Sequence, residues 1–188
     1  MKHPLTILLL ALTCATLHAQ SVSVQASSAG NVRGTGAGNV RAISATYCSG
    51  RFMVNFDNTN VAVDNDSGLT WMRNASIGGY INWTNAIAYC SNLTYAGYSD
   101  WRLPSIAEIS KDESEGGTTN GLADAPVSAN DPALPLGHPF TSVHSAFYWS
   151  STTNAGDTNG AWKVSLVNGA ALSDFKDGPG YVWPCRGP

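Results

Sequence analysis

The residues best equipped for chemistry lie in Asp64-Asn65-Asp66-Ser67-Gly68, where oxygen-bearing side chains alternate and a glycine closes the run. Such a loop can wrap a hard cation, so Asp64 and Asp66, with Asp57 across a hairpin, are candidate calcium ligands. An EF-hand places Glu at the twelfth loop position, where Ala75 stands here, and Asp and Gly serve a plain backbone turn equally well. Both readings stay open. Trp149, Trp162 and Trp183 offer ring faces on which a glycan could stack, and Arg186 offers a cation, although large aromatics also fill cores. Catalytic signals are sparse. His138 and His144 have no Cys or Glu at zinc spacing, and no G-x-S-x-G elbow occurs. A glycosidase pair of carboxylates is defined by separation in space and is not legible here. The missing site elements predict that the chain is not an enzyme and carries no cofactor beyond the calcium candidate.

These residues must be positioned by short elements. In Asp100-Trp101-Arg102-Leu103-Pro104-Ser105, the residue before proline is held extended, and Ser105 with Glu108 forms a capping box that opens a short helix. An abrupt strand-to-helix corner results, with Arg102 as its brace. Phe52-Met53-Val54 and Val61-Ala62-Val63 flank a turn-rich run and predict a hairpin. Spacing of Trp83, Ile87, Cys90 and Leu93 predicts a helix over residues 82–93. Residues 114–139, rich in Gly, Asn, Asp and Pro, predict a loop excursion outside the core and a leading place for a binding face. Residues 146–149 read as a strand, and residues 162–166 followed by Asn168-Gly169 as a β-hairpin. The fold class is α+β: short antiparallel strands with two short helices and long loops.

Six blocks in order, Asp64 to Trp71, Trp83 to Cys90, Asp100 to Pro104, Tyr148-Trp149-Ser150-Ser151-Thr152, Ala161-Trp162-Lys163-Val164 and the closing Cys185-Arg186-Gly187, resemble the Lcl C-terminal domain family over residues 51–187. Ser67 and Ser105 replace the usual Thr, Ile109 the usual Leu, and Trp183-Pro184 an otherwise different pair. Pro184 removes a backbone donor, which predicts an edge at the last strand. The resemblance implies a C-type-lectin-like fold and an extracellular binding module, since the family's namesake is a collagen-like bacterial adhesin implicated in binding sulfated polysaccharides. The lectin motifs Glu-Pro-Asn, Gln-Pro-Asp and Trp-Asn-Asp are absent, so calcium-dependent sugar chemistry does not follow from fold kinship. The cysteine pair of the formylglycine-generating relatives is missing too.

Residues 1–19, with Lys2, an apolar run and a small-residue end, predict a secretory signal peptide. Lipidation at Cys14 is disfavoured because Thr13, not a small Gly or Ala, precedes it. After cleavage three cysteines remain in an oxidising compartment. Cys90 and Cys185 fall within the recognised domain and are expected to pair, leaving Cys48 free or intermolecular; pairing of Cys48 with either is the alternative. Residues 20–50 read as a Gly/Ser/Asn-rich flexible arm with a short duplication, Ala29 to Arg33 and Ala37 to Arg41, and residues 51–188 as the domain.

Without Lys2, nine basic residues face 13 acidic ones, scattered singly, which excludes a nucleic-acid stripe. No run approaches a membrane span. Hydrophobic residues make up 43% and include six Trp, enough for one aromatic-rich core. The expected function is non-catalytic: a secreted or cell-surface bacterial module, with a periplasmic place also open, that recognises a glycan or other surface polymer. The alternative is a structural subunit of an extracellular assembly, with residues 20–48 contacting neighbouring subunits in a homo-oligomer.

Overall fold

Leu103 before Pro104 keeps the chain extended, and the turn into a helix follows at once. In the computed structural model, which describes residues 46–55, 57–126 and 130–187, Ser105 has an extended backbone and helix α2 (Ile106–Ile109) begins after it. Glu108 accepts from the Ser105 N–H at 2.7 Å and from both terminal nitrogens of Arg102 at 2.8 and 2.7 Å. Burial works against ionising Glu108, yet the guanidinium and the Ser105 N–H outweigh it and hold the carboxyl below the usual range. Arg102 also donates to the Gly187 carbonyl at 2.8 Å, so the brace expected from sequence ties the corner to the end of the chain.

Two five-stranded sheets form the body. The first comprises β1 (Thr46–Ser49), β2 (Phe52–Asn55), β3 (Asn58–Asp64), β4 (Thr70–Met72) and, from the far end of the chain, β10 (Cys185–Arg186), in the order β1-β2-β3-β4-β10. All its pairs are antiparallel. The second comprises β5 (Tyr80–Asn82), β6 (Phe147–Thr153), β7 (Gly160–Ser165), β8 (Ala171–Phe175) and β9 (Pro179–Tyr181), in the order β5-β9-β6-β7-β8, with only β6 and β9 parallel. Helix α1 (Trp83–Ser91) is capped by Asn82, whose side chain accepts from the Asn85 N–H, and buries Ala86 and Cys90. The α+β class, the first hairpin, the β7–β8 hairpin with Gly169 at φ +77° and both helices are therefore as the sequence predicts.

Four expectations are corrected. Residues 46–49, assigned to the flexible arm, form β1 against β2; the rest of the arm and the signal peptide lie outside the described residues. The excursion over residues 114–139 is not all outside the core, because Leu122, Ala123, Ala133 and Leu134 are fully buried in it. Backbone contact pulls it in: Leu122 and Ala123 N–H groups donate to Glu108 and Ile109 carbonyls at 2.9 and 2.8 Å. The last strand ends its sheet, but Cys185 exchanges both backbone hydrogen bonds with Arg102 at 2.9 Å, so the edge expected at Pro184 is covered. Finally, Cys90 and Cys185 form no bridge; both are free and buried.

Candidate functional site

Asp64 leaves no room for calcium. Its side chain is completely buried, and Arg51 fills the position a cation would take, donating from Nε and Nη2 to the two carboxylate oxygens at 2.6 and 2.5 Å. Ser67 Oγ and the Asp66 N–H supply two further donors, and the Asp66 carboxylate itself lies 3.3 Å from Arg51. Asp57 is exposed at the β2–β3 turn. No cluster of three metal-ligating side chains exists among the described residues. Asp64 and Asp66 therefore build the turn after β3, Asp57 stands in the turn at its other end, and Arg51 is the residue that sequence spacing did not bring to Asp64 and Asp66.

The expected ligand contacts divide. Trp149 and Trp183 have no exposed surface and belong to the core; the Trp149 Nε1–H donates to Ile81 O at 3.0 Å and that of Trp183 to Met72 O at 2.7 Å. Trp162 is half-buried against the same core. Arg186 remains near the surface, yet it is engaged: it donates to both Asp100 oxygens at 2.7 and 2.9 Å and lies 4.0 Å above the Tyr98 ring. That hydrogen bonding holds the Asp100 carboxyl below its ordinary range.

The thiols are insulated from chemistry. Burial pushes Cys90 up to about 12 and Cys185 further, so neither supplies a thiolate nucleophile near neutral pH. Alkylation at pH 7.5 is expected to leave both unmodified in the folded chain and to label both once it is denatured without reductant, as read by peptide mass mapping. Labelling that needs added reductant would show instead that the mature protein carries a disulfide.

A different group of side chains is open to solvent. Thr59 and Asn60 at the start of β3, Arg73 and Asn74 just after β4, Tyr95 and Thr141 line a polar cleft of about 330 Å³. Its walls are tied by backbone: Arg73 N–H donates to Asn60 O at 2.9 Å, Thr141 N–H to Arg73 O at 2.7 Å and Ala75 N–H to Thr141 O at 2.9 Å. Arg73 spends Nε on Pro139 O and Nη1 on Thr59 O, at 2.9 and 2.8 Å. Its Nη2 has no hydrogen-bond partner among the described residues. The Tyr95 hydroxyl meets Asn60 Oδ1 only at 3.4 Å, a weak contact that leaves both groups available. The lining thus contains one oriented cation, two amides and three hydroxyls, with no carboxylate among them; of these, Asn74 Oδ1 accepts from the Ser76 N–H and Oγ at 3.1 and 3.3 Å and Thr141 Oγ1 donates to Arg73 O at 3.2 Å.

Backbone strain gathers at the same place. Ala96 and Ser142, at φ +54° and +52°, are the non-glycine residues with positive φ among those described, and each adjoins a cleft residue. Tyr95 and Tyr98 exchange backbone hydrogen bonds at 2.9 and 3.0 Å around Ala96-Gly97, a tight primed turn in which Asn or Gly would be the unstrained choice. Such outliers concentrate at binding and active sites. The sequence carried little sign of the cleft, since its residues are spread over residues 59–141 and only the tertiary fold gathers them.

Loops and strand ends of the two-sheet α+β scaffold thus meet at an open polar cleft. The chain belongs to the Lcl C-terminal domain family, whose model matches residues 60–186; membership indicates a surface-associated binding domain. No curated protein matches the sequence. Among the described residues no helix is long and apolar enough to cross a membrane.

Proposed function

We propose that this chain is a secreted or cell-surface module that binds a glycan or similar hydroxyl-rich polymer in the cleft around Arg73, and that it does so without catalysis. The observation that carries the proposal is the set of polar groups with bonding capacity left there: Arg73 Nη2, the Asn60 amide, the Asn74 amino group and the Tyr95 hydroxyl line one open volume, while Asn74 Oδ1 is taken up by Ser76. Amides and hydroxyls can each donate and accept, which suits sugar hydroxyls that do the same. A binding rather than catalytic role is supported by the buried neutral thiols, which supply no nucleophile. The proposed recognition needs no calcium: the cleft lining holds no carboxylate, and Arg51 already neutralises Asp64.

The test is binding of the full chain to neutral and sulfated polysaccharides at low and physiological salt, with and without calcium. Binding is expected without calcium, and Arg73→Ala is expected to weaken it by about tenfold or more, the loss of a charge-assisted hydrogen bond. Because Arg73 also braces two loops, Tyr95→Phe serves as a milder companion that removes one hydroxyl from the cleft. No binding in any condition would sink the proposal. A second reading, subunit assembly, draws support from β1, which comes last in its sheet among the described residues and directly follows residues 20–45 in the sequence; an assembly subunit would run as a ladder of multimers whether or not glycan is added.

A further inference from the structure

Three tyrosines stand in line across the second sheet. Tyr80 on β5 is opposite Tyr181 on β9, and Tyr181 is opposite Tyr148 on β6. Directly paired residues project to the same face of a sheet, so their rings form a row. The row starts in the core, where Tyr148 is fully buried, passes through half-buried Tyr181 and ends in solvent at Tyr80, which is 53% exposed. His144 lies flat on Tyr181, with centroids 4.3 Å apart and planes at 11°, while the Tyr80 ring lies 5.0 Å from Tyr181, tilted at 46°. The His144 N–H donates to the buried Tyr148 hydroxyl at 2.9 Å, so the core end of the row fixes the loop that carries the histidine.

Core packing accounts for Tyr148 and for most of Tyr181. It does not account for an exposed phenol and an exposed imidazole held rigidly at the outer end. Such rings present apolar faces to water at a small entropic cost, because they are already ordered. The apolar C–H face of a pyranose fits them, with its hydroxyls directed outward to polar neighbours. The cleft supplies those neighbours. Residues 73–80 run from Arg73 and Asn74 to Tyr80, and residues 141–144 run from Thr141 to His144, so the same two segments build both features. Three residues of chain span at most about 11 Å, which places His144 within that distance of Thr141.

We infer that Tyr80 and His144 form a stacking subsite beside the cleft, and that the ligand is a neutral glycan of at least two linked pyranose rings, one stacked and one held by hydrogen bonds. This rests on the cleft being a glycan site and adds the ligand class. A neutral ligand fits the single cation of the cleft and the net charge of −3, which does not steer polyanions toward the protein.

Titration calorimetry on the full chain, with cellotetraose and chitotetraose as neutral probes and a heparin oligosaccharide as the polyanion, tests it. A neutral probe is expected to bind with an affinity unchanged between low and physiological salt. Tyr80→Ala is expected to weaken it about tenfold, equivalent to about 1.4 kcal/mol, and His144→Ala to weaken it in the same direction, while Tyr80→Phe retains it. Tyr80 is exposed, so far-UV circular dichroism should be the same for all three. Neutral binding that Arg73→Ala abolishes but Tyr80→Ala leaves intact would overturn the stacking subsite and keep the cleft. Binding of heparin alone, lost at physiological salt, would overturn the neutral ligand class. No binding of any probe would overturn both the subsite and the cleft.

Discussion

Asp64→Ala is expected to lower the unfolding free energy by about 3–5 kcal/mol in urea melts, because it strands a buried guanidinium. Arg51 is 9% exposed and Asp64 not at all. With the carboxylate gone, Arg51 keeps the carbonyls of Gly121 and Asn120 at 3.0 and 2.8 Å, which satisfy hydrogen bonds but do not neutralise charge, and the half-exposed Asp66 at 3.3 Å. Domains of this size commonly have about 5–15 kcal/mol in hand, so the variant should fall close to the limit of folding. The double variant Arg51→Met, Asp64→Leu separates the two contributions. Replacing both partners removes the desolvation cost together with the attraction, and such replacements are often neutral. Most of the lost stability should therefore return. A single variant within about 1 kcal/mol of the parent would mean that the pair is not desolvated as described. Calcium bears on the same residues: it should leave the melting temperature of the parent unchanged, and a rise would restore the metal reading of Asp57, Asp64 and Asp66.

Much of the fold was legible because its determinants are local. Proline geometry and a capping pair specify the corner at Leu103 to Glu108, alternation specifies the β2–β3 hairpin, and Asn168-Gly169 specifies a turn. What escaped was long-range. Arg51 is 13 residues from Asp64 in sequence and reaches it only because β2 and β3 pair, so a loop that reads as a cation site contains its own cation. The glycine-rich excursion enters the core because Gly117 and Gly121 let the chain lie against Ser110, where a Cβ would meet backbone atoms at 2.5 and 2.0 Å; composition signals a loop but not the surface on which it lies. The cleft and the tyrosine row are gathered from separate strands, and each residue alone looks ordinary. Trp149 on β6 and Trp183 between β9 and β10 show the converse, since sequence alone gives no sign of whether a tryptophan is covered by the core or left in solvent.

Trp183→Ala should be among the most damaging substitutions in the core, at about 3–5 kcal/mol. Trp183 is packed edge-on against Trp71 and Phe140, with centroids 5.6 and 4.8 Å apart, and tilted against Tyr148 at 5.6 Å. These partners come from β4, the segment after the excursion and β6, so a single indole joins both sheets and the loop between them. Removing it leaves a cavity that rigid aromatic neighbours cannot fill, and cavity volume sets the cost. Trp183→Phe divides the effect: the ring is largely kept, but the Met72 carbonyl loses its donor at 2.7 Å, a loss of about 1–3 kcal/mol for a buried acceptor. Glycan affinity distinguishes core from contact. Trp183→Phe protein that remains folded should bind a neutral glycan as the parent does, because the indole has no exposed surface, whereas Tyr80→Ala should weaken binding about tenfold and keep stability. If Trp183→Phe weakened binding without lowering the melting temperature, Trp183 would have to reach the ligand, and the core as described would be wrong.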